Sequence, residues 1–495
     1  MDILVIVLYL GAMVGIGWYA KRRARTESDF LVAGRRLGPV YYTGTMAALV
    51  MGGGATLGGI GLGYQHGLSG AWLVFAMATG VALISLLLAP LINRLRVYTV
   101  SQMLVLRYGE KMGTRISGVV MLAYTLMIAV TSTVACGSIA TVFFGIPKVP
   151  TILICGSVVI LYSALGGMWS ITFTDLVQFL LKTVSIFVIL LPAALLRAGG
   201  FEGLAEKLPP QAFSWTEPGL GPIFMYLVLQ VPTMVIGQDL WQRVFTARSD
   251  KVARWAGVGA AAYCYLYGLA GALIGMCARV LLPNVEGRDQ VYAQIVHYVL
   301  PVGLAGLVVA GALAAMMSTA SGALIATATV AKEDVLGRAS EGQGGAHSEV
   351  SQTRVYIVFS GVAMAVIACL LQDVIAALTV ASDFLVGGLL VAVIGGMVWK
   401  GGTARGALVS IVVGVVTTLG TMLAMGDIFA NMPIYLGLSA SLLSFVAVSL
   451  LDGPVPAAVR ERWERRAQGL NVESEARELA RMPDGRDEAA ARHVH

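Results

Sequence analysis

Between residues 37 and 93 the chain carries no Asp, Glu, Lys or Arg. A soluble helix needs a solvated face, so an uncharged run of this length cannot be the core of a water-soluble domain. A bilayer crossing, by contrast, takes about 20 apolar residues. The rest of the sequence agrees: 57% of the 495 residues are hydrophobic and 13% charged, where soluble domains carry about a quarter. The chain is therefore expected to be an all-α integral membrane protein. Hydropathy gives thirteen candidate spans, near 2–20, 39–64, 70–93, 116–145, 150–169, 173–196, 220–238, 254–282, 301–331, 354–372, 374–399, 406–425 and 431–451. Several exceed the length of one crossing, so tilted, broken or extended helices are expected.

The basic residues set an orientation. With the N-terminus outside, five of the 34 Lys and Arg fall in exterior loops (Lys148, Arg197, Lys207, Arg279, Arg288), one (Lys182) falls inside a span, and the other 28 face the cytoplasm. That asymmetry follows the positive-inside rule and predicts a multi-pass protein of the cell membrane with its C-terminus cytoplasmic. The net charge of +6 is spread over six cytoplasmic segments, which fits membrane lipid headgroups as partners and not nucleic acid. The first span lacks a small-residue cleavage site and reads as a retained helix. The five cysteines sit in spans without CxxC spacing and read as packing residues. A Gly/Ser-rich loop over 341–352 is expected to be mobile, and the Arg/Glu/Ala-rich tail over 452–495 is expected to be solvated, with a surface helix near 460–482.

Two spans carry signals that break helices. Gly52, Gly53 and Gly54 lie mid-span, and each glycine costs a helix about 1 kcal/mol relative to alanine. In lipid, unwound backbone is tolerated where it lines a cavity or site. A break here frees carbonyls such as those of Ala48 and Met51 to face a cation; close packing is the alternative. The seventh span is interrupted by Pro232 and by Gly237-Gln238-Asp239. Two interrupted helices five spans apart fit a 5+5 inverted repeat with its site near the midplane. That divides the chain into an N-terminal helix and loop (1–38), a ten-helix core (39–400, in halves 39–197 and 220–400), two further helices (401–451) and the tail.

Four stretches occur in order: SDFLVAGRRLG at 28–38, YSALGGMWSITFTDLVQ at 162–178, Gln242-Arg243, and AAMMSTAS at 314–321. Together they resemble the sodium:solute symporter family, over nearly the whole chain to about residue 451. The resemblance implies a LeuT-like fold of ten core helices with extra helices at the ends. It implies sodium held by the carbonyls of Ala48, Met51 and Ala315 and the hydroxyls of Ser318 and Thr319. Sodium is a hard cation that takes oxygen ligands. Back-bonding of the two hydroxyls within their own helix is the structural alternative. Asp175 matches an acid that some relatives use for a second sodium or its release, with Ser318 and Ser321 as expected partners. Gly322 stands where two-ion relatives keep a hydroxyl.

Lys182 departs from that pattern. It lies seven residues after Asp175, on the same face and about 10 Å deeper. Intramembrane ionisable groups are costly and are candidates for function. Its ammonium could replace the sodium and carry H⁺ instead, or pair elsewhere. For the solute, Val50, Gly52 and Ala55 offer no polar side chains, which disfavours a sugar. Trp72, Met77, Gly237, Gln238, Asp239 and Trp241 could border the pocket; interfacial anchoring is the alternative for both Trp residues. Asp383, mid-span, is a candidate counter-charge for a zwitterionic or cationic solute, and the amides after Gly52 could take a carboxylate. Val50 and Gly237 give no aromatic cage, which argues against a quaternary ammonium.

The sequence shows no HExxH or GxSxG, and no His lies beside a candidate nucleophile, so an enzyme is not expected. The function expected is ion-coupled uptake of a small organic solute by alternating access, most simply with Na⁺. Coupling to H⁺, or none, is the alternative. A solute sensor on a transporter fold is the rival of another class. No obligate protein partner is implied.

Overall fold

The computed structural model describes residues 1–336, 346–371, 374–426 and 430–470. Helices dominate it, with no β-strand among the described residues beyond one isolated bridge between Leu37 and Ala247. This follows from the solvent: hydrocarbon offers backbone groups no partner, so each span must satisfy its own.

The main helices are α1 (Asp2–Ala20), α2 (Pro39–Val50), α3 (Gly59–His66), α4 (Trp72–Leu83), α5 (Arg115–Phe144), α6 (Lys148–Thr183) and α7 (Leu220–Ile236). They continue with α8 (Gln238–Val244), α9 (Asp250–Leu281), α10 (Leu304–Val330), α11 (Ala346–Leu370), α12 (Val374–Val398), α13 (Ala404–Met425) and α14 (Met432–Leu451). Ten helices are long and apolar enough to cross a membrane, or eleven if the bent pair α7–α8 is one span. Thirteen were expected. The difference lies in two long helical paths, Gly54–Leu95 and Lys148–Ala198, of 42 and 51 residues. The first takes in the expected span at 70–93 and the second half of that at 39–64, and the second holds those at 150–169 and 173–196, joined across a kink at Gly167.

Helix α10 is the axis of the bundle. Its most apolar stretch is entirely buried, and α1, α2, α5, α6 and α11 pack around it. The cause is composition: its Ala, Gly, Ser and Thr residues let neighbouring backbones come close. Helix α9 packs on α2, α3 and α4, while α13 and α14 pair with each other beside α12.

The segment after α1 closes the basic end of the bundle. Arg35 reaches the carbonyl of Val97 at 2.9 Å and stacks over Tyr98 and Phe245. Burial lowers its guanidinium to about 10. Ala33 and Arg35 sit at φ of 49° and 56°, a left-handed backbone that costs a non-glycine residue about 1–3 kcal/mol. Gln242 of α8 donates to the Leu31 carbonyl at 2.9 Å, which ties this segment to the second broken helix. Of the tail helix expected near 460–482, the described residues show Ala457–Ala467, with no buried residue; residues 471–495 lie outside them. So do residues 341–345 of the loop expected to be mobile, whereas 346–352 form the start of α11.

Candidate functional site

The expected break in the second span is real. Helix α2 stops at Val50, Met51 takes φ −86°, ψ 61°, and the helix restarts at 53 through a π-turn over Gly54–Gly58. The glycines are required by close approach. A Cβ on Gly52 would stand 2.3 Å from Thr319 Oγ1, one on Gly53 2.6 Å from Ala135 Cβ, and one on Gly54 2.7 Å from Leu378 Cδ2. Three different helices therefore touch bare backbone at the break. The second break falls at Gly237, whose extended backbone separates α7 from α8 with a bend of 47°. A third turn, inside α6, falls at Gly167 (φ 55°, ψ −138°), where a Cβ would meet the Phe30 carbonyl at 2.4 Å.

The hydroxyls of α10 meet the freed carbonyls of α2. Ser318 Oγ lies 2.8 Å from both the Ala48 and Ala315 carbonyl oxygens. Thr319 Oγ1 donates to the Leu49 carbonyl and lies 3.4 Å from that of Ala315. Both residues are buried. The oxygens named by sequence are thus brought together.

So is Lys182. Its Nζ donates to the carbonyls of Ala47 (3.3 Å), Ala48 (3.1 Å) and Met51 (3.4 Å), and the side chain is fully buried. Two of these carbonyls, Ala48 and Met51, belong to the five oxygens that the resemblance implied for sodium. Two unit charges even 4 Å apart repel by about 4 kcal/mol at an effective dielectric of 20. A sodium ion therefore fits these ligands only after the amine has lost its proton or swung away. Lys182 stands two residues before a π-helical stretch, Val184–Leu190, a feature that often marks functional positions in helices.

Asp175, expected to face Ser318 and Ser321, faces elsewhere. Its Oδ2 accepts from Thr45 and, at 3.1 Å, from Arg243 Nη2. Both members of this ion pair are fully buried. Arg243 Nη1 also meets Met168 Sδ at 3.0 Å. Ser321 instead donates to the Ser318 carbonyl of its own helix at 3.1 Å. The reason is Gly322: a Cβ there would stand 2.7 Å from Arg243 Nη2, so the missing side chain makes room for the guanidinium. Among the described residues Asp175 Oδ1 and Arg243 Nε have no hydrogen-bond partner. Sequence reasoning named Arg243 only as part of a motif and missed Thr45.

Beside the break lies a cavity of about 30 Å³, room for roughly two waters. Its walls include the expected Val50, Gly52, Ala55, Met77 and Asp239, joined by Tyr124, Thr131, Ser132, Met234 and Thr319. The polar residues from α5 were missed; the only signal was a Thr-Ser-Thr run over 131–133 in an apolar span. Five expected residues are not part of this wall. Gln238 clasps the backbone of Tyr98 and Val100 (2.8 Å each). Trp72 Nε1 donates to the Trp215 carbonyl at the exposed end of its helix. Trp241 donates to Val235 within its own bend. Asp383 is buried, and neither carboxylate oxygen has a hydrogen-bond partner among the described residues. Gly237 stands just behind the wall, with its Cβ position 2.9 Å from Tyr124 Oη.

Known proteins share this architecture. Residues 30–414 match the family model of the sodium:solute symporter family. The chain is 24% identical to the sodium/glucose cotransporter of Vibrio parahaemolyticus, over 83% of each chain. It is 25% identical to a high-affinity proline transporter of Bacillus subtilis, over 91% of this chain and 98% of that one. To the sodium/pantothenate symporter of Escherichia coli it is 26% identical, over 67% and 71%. Its fold matches the solved structure of a Na⁺-coupled sialic acid symporter with a TM-score of 0.77, at 19% identity, covering 92% of this chain and 98% of that one. Mhp1, a nucleobase-cation-symport-1 family transporter, matches at a TM-score of 0.57 and 16% identity, over 90% and 99%. The all-helical, LeuT-like architecture expected from the sequence is the fold of this chain.

Proposed function

The chain belongs to the sodium:solute symporter family, and from that premise we propose that it carries a small organic solute across the membrane by alternating access, with the Lys182 ammonium in the part of the coupling cation. It is a multi-pass membrane transport protein and not an enzyme. One observation carries the proposal: Lys182 Nζ lies 3.1–3.4 Å from three carbonyls of the broken helix.

The protonated amine joins α2 to α6, and through the shared Ala48 carbonyl to Ser318 of α10. When the amine is neutral, that electrostatic tie weakens and the broken helix is freer to move. Protonation from one side and release to the other would couple solute movement to a proton gradient. Cys264 of α9 and Asp175 on its own helix are ionisable groups that act on Lys182 electrostatically. Arg243, held against Asp175, would take the part of a second ion. Both cation positions implied by the resemblance then hold cations built into the chain.

The second reading is Na⁺ coupling, favoured by the family and by the oxygen set of Ala48, Met51, Ala315, Ser318 and Thr319. Under it, sodium takes the cage when the amine leaves. In either case the halves 39–197 and 220–400 would rock as inverted repeats about the two breaks, with the N-terminus outside. The test is solute-dependent acidification of pyranine-loaded proteoliposomes, screened with amino acids, sugars, carboxylates and vitamins. Proton entry without Na⁺, abolished in Lys182→Met, is expected. Uptake that requires a Na⁺ gradient and moves no protons would leave sodium as the coupling ion. Tight solute binding with no flux of any kind would favour a sensor.

A further inference from the structure

We infer that the basic end of α1 holds the phosphate of an anionic phospholipid, in a cavity walled by Arg22, Arg23, Arg25 and Arg36.

The cavity measures about 500 Å³ and is lined by these four arginines, Asp29 and Trp169. Small-molecule sites span about 300–1,000 Å³. Three elements meet there: the turn that ends α1 (Arg22, Arg23), the segment that follows it (Arg25, Asp29, Arg36), and α6 just past its turn at Gly167 (Trp169). The charges of the wall do not balance. Asp29 is its one carboxylate, and it pairs with Arg36. Among the described residues Arg22, Arg23 and Arg25 form no ion pair. Three guanidinium charges therefore border one space with no carboxylate of the wall to offset them.

Aromatic rings hold the arginines in place. Arg23 lies over Trp169 and Phe173, at 5.4 and 5.2 Å from the ring centroids, and Arg36 lies over Trp169 at 5.7 Å. Arg22 lies over Trp18 at 5.8 Å, and Arg25 Nε donates to the Arg22 carbonyl at 3.3 Å. Part of the ordering cost of binding is thus met before a ligand arrives. Guanidinium forks suit phosphate oxygens, which accept paired N–H bonds.

The surroundings favour a lipid as the source of that phosphate. Helix α1 turns apolar side chains outward: Leu4, Val7, Leu8 and Trp18 are each more than half exposed. Exposed Tyr19 and Tyr41 pack on Phe173, and Phe173 packs on Trp169. Trp and Tyr gather at the headgroup level of a bilayer. The arginines then stand at the level of the phosphates, with apolar helix surface beside them for acyl chains. The charge asymmetry assigns this end to the cytoplasm, whose leaflet carries anionic lipid, and basic pockets between helices on that side take such headgroups. A headgroup here would pin α1 and the segment after it to α6 beside the Gly167 turn.

The experiment is native mass spectrometry and thermal unfolding of the full-length protein in a non-ionic detergent. The probes are dioleoylphosphatidylglycerol, dioleoylphosphatidylcholine, glycerol 3-phosphate and inorganic phosphate. Phosphatidylglycerol should bind at least tenfold more tightly than phosphatidylcholine and raise the unfolding midpoint. The two soluble phosphates, which lack acyl chains, should bind at least 100-fold more weakly than phosphatidylglycerol. The triple variant Arg22→Gln, Arg23→Gln, Arg25→Gln should lose most of the preference for phosphatidylglycerol. The variant Arg460→Gln, Arg462→Gln, Arg465→Gln in the exposed tail helix removes the same charge and should keep it. Equal binding of the two lipids, a preference retained in the first variant, or an equal loss in the second would overturn the inference. Either soluble phosphate binding as tightly as the lipid would also overturn it, and would make the site one for free phosphate. If the first variant does not fold, Arg25→Gln alone decides, since this side chain stacks on no ring among the described residues. It should reduce the preference at least threefold, and an unchanged preference would overturn the inference.

Discussion

Two buried cations, Lys182 and Arg243, are secured differently. Arg243 has a carboxylate partner, so removing that partner strands a charge. Asp175→Asn should destabilise the fold by about 3–5 kcal/mol. Arg243→Met alone should cost a similar amount, and the double variant should recover part of it. Thermal unfolding of the four proteins in one detergent measures the coupling, and strict additivity would show that the pair is not an interacting unit. Among the described residues Lys182 hydrogen-bonds only to carbonyls, which makes it replaceable by another cation. Its depth was legible in the sequence, because seven helical residues from Asp175 fix it. The Asp175–Arg243 pair was not, because its members are 68 residues apart and only the packing of Gly322 admits the guanidinium. Gln238 was misjudged for the same reason: its amide is turned toward a backbone 140 residues away.

At the scale of the element, function depends on helices that stop where lipid would have them continue. Both interruptions were readable from Gly and Pro, since these residues act locally. The turn at Gly167 was visible only as a Gly-Gly pair, and hydropathy counted a span on either side of it. The structure joins them as one helical path. Gly167→Ala should lower the unfolding midpoint, since it forces an alanine into a positive φ against the Phe30 carbonyl, at a cost of about 1–3 kcal/mol or more. An unchanged midpoint would mean that the turn relaxes freely. Gly52→Ala acts on the site instead. Its methyl group would displace the Thr319 hydroxyl from Leu49, so uptake should fall at least tenfold. Adding Thr319→Ala to it should restore part of the fold stability but not the uptake. Full activity in Gly52→Ala would show that the contact is not needed for movement.

At the scale of the whole molecule, the charge asymmetry predicts sidedness. Lys148→Cys and Lys207→Cys should react with an impermeant thiol reagent added to intact cells, whereas Arg22→Cys and Arg254→Cys should react only after permeabilisation. The inverse pattern would reverse the orientation. Composition made the membrane fold legible, and the order of four short motifs made the family legible. The occupant of the central cage was left open between sodium and an ammonium, because nothing in a linear sequence fixes where a lysine side chain ends. That occupant decides what drives the molecule. The most direct test is the unfolding midpoint of wild type and Lys182→Ala, titrated with NaCl against choline chloride. A ligand at 100 times its dissociation constant stabilises by about 2.7 kcal/mol, which is readily measured. The wild type should show no sodium-specific rise, since Lys182 already fills the cage, and Lys182→Ala should gain one as Na⁺ enters the vacated oxygens. A sodium-specific rise in the wild type that Lys182→Ala lacks would contradict the account.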